Sequence, residues 1–360
     1  MFLPRYRISI VLQLVLVIAT VGCSPGYVVR AAYEQSKILL ARRPIVEVIE
    51  DPATSPVDRE KLSLVLAART FATDIGLSPG QTFTQYADIG KDTLAWVVMA
   101  SRKDSFSMYT WWFPIVGTVP YKGFFDQQDA IEQAKALEQQ GYESSVRGTE
   151  AFSTLGWFND PLLSTTLKNT PTRIVNTVIH ETVHSTVWIP GHVAFNESLA
   201  NFVGSRAAID FFRSRRSGDV GVIAGKPSVD DEVSQSEHEH KFTLEFADCV
   251  SEAFDKLNTL YGRGDLTSEQ KVSERQRVFD QVMEPFRVRY PTVAALRTLN
   301  NAELLQSTIY MTKLRLFERL YASVQQKWPE FFGRVAELKG RLERGESSDP
   351  FELLGAMANG

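Results

Sequence analysis

The chain has 360 residues, is 44% hydrophobic and 23% charged, and carries a formal net charge of -4. That is globular composition with ample length for one large core or two small ones. The mild acidity, with Lys and Arg never gathered into long runs, excludes the electrostatic footprint of a nucleic-acid binder.

The first residues read as an export signal. Arg5 and Arg7 precede an apolar run from Ile8 to Val21, then Gly22 and Cys23. A basic start, a short apolar segment and a small residue at the cut give residues 1–22 the layout of a signal peptide. The apolar run is shorter than the span of about 20 residues that a bilayer requires. Cys23 after a small residue resembles a bacterial lipobox, with Thr20 standing where Leu is the commoner choice. Lipidation at Cys23 is therefore expected, and it leaves Cys249 without a disulfide partner in the chain. Cys249, in an amphipathic run, is read as a small buried hydrophobe.

Beyond Cys23, the periodicity of Val28, Ala32, Ile38 and Leu39 predicts a helix, and a second is expected over Pro56–Ile75. Runs rich in β-branched and aromatic residues at 93–101, 105–113 and 115–121 predict strands. A helix follows that stops at Gly141, and extended structure resumes at Ser144–Gly148 and near Gly156 and Trp157. From Pro171 the pattern is almost wholly helical, with amphipathic segments at Glu245–Tyr261, Ser268–Phe286, Ala302–Tyr321 and Phe331–Leu342. The expected fold class is α+β, predominantly α-helical. A small mixed sheet lies in the N-terminal half (about 23–170) and helices in the C-terminal half (about 171–360) of one domain.

The chemistry concentrates between Val178 and Gly204. His180-Glu181-Thr182-Val183-His184 is an H-E-x-x-H pattern flanked by apolar residues that favour a helix. On a helix, positions i and i+4 share a face, so both imidazoles can meet one metal ion. Glu181 is turned by about 100° around the axis, which suits it to a water beside the metal rather than to the metal. Imidazole nitrogens suit Zn2+, and a catalytic zinc site needs a third protein ligand and an open position. Ile189-Pro190-Gly191 is expected to end the helix and Asn196 to cap the next one. Glu197, in the first turn of that second helix, is then the third ligand. Asn201, one turn further on, is a candidate to accept the second N–H of a ligating histidine. Tyr310, on a later helix, is a candidate donor to a developing oxyanion. Its competing reading is a tyrosine that caps the core with its hydroxyl in water.

Other features read more simply. Gly156 beside Trp157 would let a substrate backbone approach an edge strand, or is an ordinary aromatic strand end. His238 and His240 alternate with Glu237 and Glu239 and are expected on a solvated loop or an exposed helix turn. His192 is expected in the loop between the helices without a ligand role. Glu150 and Asp160 are carboxylates near the expected edge strand, and the residues alone identify no group to hold a substrate amine.

H-E-x-x-H followed by Asn196-Glu197-x-x-Ala200 resembles the gluzincin metallopeptidases, whose third zinc ligand is a glutamate. The whole mature chain further resembles a family of bacterial lipoproteins described as zinc aminopeptidases. The matching stretches are GCSPGYVVRAAYEQSKILLARRPI, PIVGTVPYKGFF, STLGWFNDPLL, NESLANFVG and LNNAELL. The resemblance implies a zinc peptidase, with exopeptidase action resting on it alone, and an edge strand that pairs with the peptide. The connection between His184 and Glu197 is shorter than in well-studied gluzincins. The expected partners are a peptide substrate and, through the lipid on Cys23, a membrane; the expected place is the outer membrane of a bacterial envelope, facing the periplasm. The alternatives are a zinc endopeptidase acting on envelope proteins and a non-enzymatic envelope lipoprotein.

Overall fold

The computed structural model describes residues 33–34, 36–113, 117–149, 161–216, 228–294 and 299–359. Cys23, Glu150, Gly156, Trp157 and Asp160 lie outside them. The architecture is predominantly helical α+β, as the patterning predicts, but among the described residues the strands form three small sheets rather than one.

The first sheet orders β1 (Arg42–Pro44), β2 (Gln85–Ala87) and β8 (Leu162–Leu163); β1–β2 is antiparallel and β2–β8 parallel, so this is the mixed sheet. The second is antiparallel, with β3 (Ala95–Arg102) between β6 (Lys122–Phe124) and β7 (Tyr142–Thr149). A hairpin of β4 (Trp111–Phe113) and β5 (Gly117–Val119) is the third. Helix α3 (Gln127–Gln139), capped by the Asp126 carboxylate, lays Ala130, Ala134 and Leu137 on Val98 and Ala100 of β3.

Helices α1 (Ile45–Glu50) and α2 (Pro56–Asp74) precede the second sheet in the chain. Pro56 at the first helical position and Ser55 as the cap explain the start of α2. From Pro171 the chain forms α4 (Pro171–Thr186), α5 (Val193–Arg216), α6 (Val229–Tyr261), α7 (Ser268–Arg289) and a single turn, α8 (Pro291–Ala294). It ends with α9 (Asn301–Met311), α10 (Leu314–Ser323), α11 (Trp328–Glu343) and α12 (Pro350–Asn359).

Helix α5 is the pivot of this arrangement. Phe195, Leu199, Ala200, Phe202, Val203, Ala207, Ala208, Ile209, Phe211 and Phe212 are all buried, which leaves hardly any solvent face, as expected of a helix packed on all sides. It packs against α4, α6, α9 and α10. Phe202 alone meets Phe317, Tyr321, Trp328 and Phe331. Each such ring contributes about 1.5–3 kcal/mol through burial. The main core also takes in Ile45, Leu62, Val65 and Ala68 from the N-terminal helices. A second core joins the far half of α6 to α7 through Phe246, Val250, Phe279 and Phe286.

Two expectations are corrected. The segment Ala302–Tyr321 is not one helix: Thr312 is extended and Lys313 is left-handed (φ 52°). The Thr312 N–H leaves the helical pattern to donate to Ser198 Oγ of α5 at 3.0 Å. His238 lies on an exposed helix turn, one of the two settings expected, but His240 is not solvated; α6 begins at Val229 behind a capping box made by Ser228 and Asp231.

His240 is buried. Its Nδ1 pairs with Ser205 Oγ of α5 at 2.9 Å and its Nε2 with Glu318 Oε2 of α10 at 3.1 Å. The set ties three helices together, and Ser205, 4% exposed, has no access for a substrate. Burial pushes the Glu318 carboxyl up, but the His240 hydrogen bond and the charges of Arg206 and Arg315 outweigh it and hold it below its ordinary value of 4.5. A carboxyl depressed by folding contributes stability that is fully present above its unfolded pKa and is lost as pH falls through the folded one. Glu318→Gln is therefore expected to be less stable than the wild type at neutral pH. In chemical denaturation the gap should narrow as pH falls below about 4.

Candidate metal centre

The centre sits on α4 and α5. Pro171 and the Thr170 cap start α4, and Thr172, Ile174, Val175, Val178, Ile179, Thr182 and Val183 form its buried face. The spacing of that apolar stripe leaves His180 and His184 on a neighbouring face, pointing across to α5. Helix α4 ends at Thr186, where Val187 turns extended. Ser78, beyond α2, then ties off the last turn: its N–H donates to Thr186 Oγ1 at 2.8 Å and its carbonyl accepts from Ser185 Oγ at 3.1 Å.

The return to α5 takes only residues 187–192, and Asn196 holds it. Its Oδ1 accepts the Ile189 N–H at 3.0 Å while its Nδ2 donates to the Ile189 carbonyl at 2.9 Å. Asn196 is thus not the N-cap that its residue type suggests. The helix starts three residues earlier at Val193, and the buried amide satisfies loop backbone that would otherwise be stranded. Gly191 takes the left-handed turn (φ 82°) that the short connection requires. Glu197 consequently lies in the second turn of α5, not the first.

This places three donors together. His180 Nε2 and His184 Nε2 are 3.2 Å apart, and Glu197 Oε2 is 3.4 Å from the first and 3.5 Å from the second. Among the described residues this is the one group of three or more side chains spaced to hold a metal ion. Tetrahedral zinc with bonds of about 2.0–2.2 Å sets neighbouring donors about 3.3–3.5 Å apart, so the donor set fits zinc in both chemistry and spacing. All three side chains are largely buried, with exposures of 16%, 8% and 14%. Burial pushes the Glu197 carboxyl up, but hydrogen bonds with His180 and His184 bring it down to about 2. Burial likewise opposes charge on His180, yet Glu197 and Glu181 outweigh it and raise its pKa. The centre is an electronegative trap for a cation.

Of the remaining predicted residues, Glu181, Tyr310 and Asn201 are described, while Gly156, Trp157 and Cys23 lie outside the described residues. Glu181 follows the first histidine, and its charge acts on both His180 and the phenol of Tyr310. Tyr310 is 38% exposed, and burial together with Glu197 and Glu181 pushes its phenol up to about 12. It stays protonated and can donate. Asn201 is half-buried, and its Nδ2 donates to the Tyr310 carbonyl at 2.9 Å, which fixes α9 against α5 rather than orienting an imidazole. His184 Nδ1 is buried without a hydrogen-bond partner among the described residues. His192 serves the loop through its backbone, its carbonyl accepting the Asn196 N–H at 3.1 Å, and it stands outside the donor group. Cys249 is half-buried, and burial pushes its thiol up to about 11, which leaves it unreactive.

Residues 26–348 match the model of a family described as "Putative aminopeptidase". The chain belongs to that family. No curated protein and no solved structure matches it. The matched range contains every described residue of the metal centre, together with its loop and the helix that carries Tyr310.

Sequence reasoning missed three residues near the centre: Gly204, Tyr121 and Arg147. Tyr121 and Arg147 both act electrostatically on Tyr310. Gly204, two turns beyond Glu197, lets α5 approach α4. A Cβ there would meet Asn176 Oδ1 at 2.5 Å, the Asn176 carbonyl oxygen at 2.9 Å and His180 Cβ at 3.2 Å. The signal was a glycine inside a strongly helical run, where it costs about 1 kcal/mol relative to alanine unless packing requires it. Gly204→Ala is expected to destabilise the protein by about 1–3 kcal/mol through overpacking and to weaken metal binding by displacing His180. Denaturation and metal titration check this. Adding Asn176→Ala should recover only part of the loss, because the backbone oxygen remains.

Proposed function

We propose that the protein is a zinc-dependent aminopeptidase. The observation that carries this reading is the convergence of His180 Nε2, His184 Nε2 and Glu197 Oε2 at zinc spacing, with Glu181 adjoining them. Membership of a family described as an aminopeptidase supports the reaction class and is the support for attack at the N-terminal residue.

His180, His184 and Glu197 would hold the ion. Zinc, when bound there, supplies a Lewis acid and lowers the pKa of water from 15.7 to about 7. Glu181 is the general base: its carboxylate takes the proton of the attacking water and returns it to the leaving amine nitrogen. Tyr310, protonated throughout the neutral range, donates its phenolic hydrogen to the oxyanion that develops on the scissile carbonyl. The His184 imidazole is held between Trp188, whose ring lies 5.7 Å away, and His180, at 4.9 Å, so its ring plane is constrained before any substrate arrives.

The N-terminal residues support export and a lipid anchor on Cys23, which would hold the enzyme on the outer membrane facing the periplasm. Among the described residues no helix is long and apolar enough to cross a membrane, so membrane attachment in this reading rests on the lipid.

Elemental analysis should find about one zinc per chain. Glu197→Ala should lose most of it. Glu181→Gln should keep the metal while kcat against short N-terminally free peptides falls by about 10²- to 10⁴-fold. Full turnover by zinc-loaded Glu181→Gln would overturn the general-base assignment. No zinc after incubation with the metal would overturn the enzyme as a whole.

A further inference from the structure

Strand β7 runs beside α9, and three contacts give its register. Asn301 N–H donates to Glu143 Oε1 at 2.6 Å, Asn300 Nδ2 donates to the Ser144 carbonyl at 2.9 Å, and Ser145 Oγ meets Gln306 Oε1 at 3.2 Å. Side chains alternate along a strand, so Glu143, Ser145 and Arg147 share the face that looks toward α9. Two strand residues advance about 6.6 Å and a helix about 1.5 Å per residue, so each such step matches four or five helical positions. From Gln306 the next step reaches Tyr310. This register puts Arg147 level with Tyr310 near the C-terminal end of α9. Its charge acts on the Tyr310 phenol, against those of Glu197 and Glu181.

Arg147 differs from the other arginines packed beside these helices. Arg275 is spoken for by Glu143 at 2.6 Å, and Arg206 by Asp210 at 2.9 Å. Arg147 is exposed, paired across the sheet only through its backbone with Val97, and forms no ion pair with a described residue. In the proposed enzyme Glu197 would be committed to the two histidines and Glu181 to proton transfer, and Glu143, on the same face of β7, is paired with Arg275. A guanidinium offers a planar fork of donors that matches a carboxylate in two parallel hydrogen bonds.

We infer that Arg147 is a specificity-determining residue of the proposed peptidase, binding a substrate carboxylate that lies within a residue or two of the scissile bond. The inference rests on the peptidase reading. Such a carboxylate is either the free C-terminus of a short peptide or an acidic side chain. A long peptide with neither group near the cleavage point gains nothing from Arg147, so the site favours short or acidic substrates.

The test uses the full chain loaded with zinc. The substrates are trialanine, trialanine amide, and alanyl-glutamyl-alanine amide against its glutaminyl counterpart. Wild type should prefer a carboxylate-bearing peptide over its neutral partner by about 10- to 100-fold in kcat/KM. The free-acid and amide pair reports a C-terminal carboxylate, and the Glu and Gln pair a side-chain one. Arg147→Ala should abolish the preference, and Arg147→Lys should restore part of it. Arg147 is a surface residue, so the variants should fold, and unchanged zinc content checks it. Binding of trialanine and its amide to Glu181→Gln, measured by calorimetry, should show the same difference without turnover. Equal cleavage of charged and neutral peptides by the wild type, or a preference that survives Arg147→Ala, overturns this inference and leaves the peptidase reading standing. No cleavage of any peptide by the zinc-loaded wild type overturns both.

Discussion

Everything at the metal centre depends on how closely α4 and α5 approach each other. Two donors come from one helix and the third from the next, and their mutual distances of 3.2, 3.4 and 3.5 Å leave no room for a helix pair at loose spacing. Two features of α5 hold the pair. Gly204 removes the one Cβ that would strike Asn176 and the His180 Cβ. Asn196 bonds both backbone groups of Ile189 and so fixes where α5 begins relative to where α4 ends. Neither residue needs to touch a ligand or substrate, yet the geometry follows from them. The short connection between His184 and Glu197, noted in the sequence as tighter than in the proteins it resembles, is accommodated by this clamp and by the left-handed turn at Gly191.

The rest of the fold serves that helix pair. Helix α5 is buried along nearly its whole length, so its position is set by α4, α6, α9 and α10 together. The polar bonds reaching it from other helices fall at intervals: Thr312 on Ser198, Tyr310 on Asn201, His240 on Ser205, and Tyr321 with Trp328 on Asp210. Apolar packing alone would let α5 slide or rotate with little penalty, since hydrophobic burial is not directional. Hydrogen bonds at these points select one register, and an unmade one in the buried interior would cost about 1–3 kcal/mol.

What was legible in the sequence and what was not divides along the range of the interaction. The four-residue spacing of His180 and His184 is a local fact about helices, and a short loop must bring Glu197 near them. The group of three donors could therefore be read directly. Asn196 was misread because its preference for helix caps is local, whereas its actual partners are the backbone groups of Ile189, seven residues back. The break after Met311 carries no glycine or proline; it exists because Thr312 finds Ser198, more than a hundred residues earlier. His240 looked solvated because the sequence shows only its charged neighbours, while Ser205 and Glu318, which bury it, come from other helices. The three-residue strands β1 and β2 carry too few side chains to show a period of two, and the three sheets could not be told from one.

The electrostatics of the centre make one further argument. Glu181 and Glu197 bring two carboxylates close to His180 in a largely buried space, and together they raise its pKa against the effect of burial. A divalent cation bound by neutral imidazoles balances the same two carboxylates while leaving both histidines unprotonated and Glu181 free to act as a base. Arg147 adds a positive charge that acts on the Tyr310 phenol. Near neutral pH, with a cation balancing the two carboxylates, the surplus positive charge beside the proposed site would be that of the Arg147 guanidinium. In the proposed peptidase a neutral peptide would gain nothing from that charge, whereas a peptide ending in a carboxylate close to the cut would be drawn to it and oriented by it. The same charge would disfavour a substrate with a cationic side chain at that point, so the proposed site would discriminate by repulsion as well as by attraction.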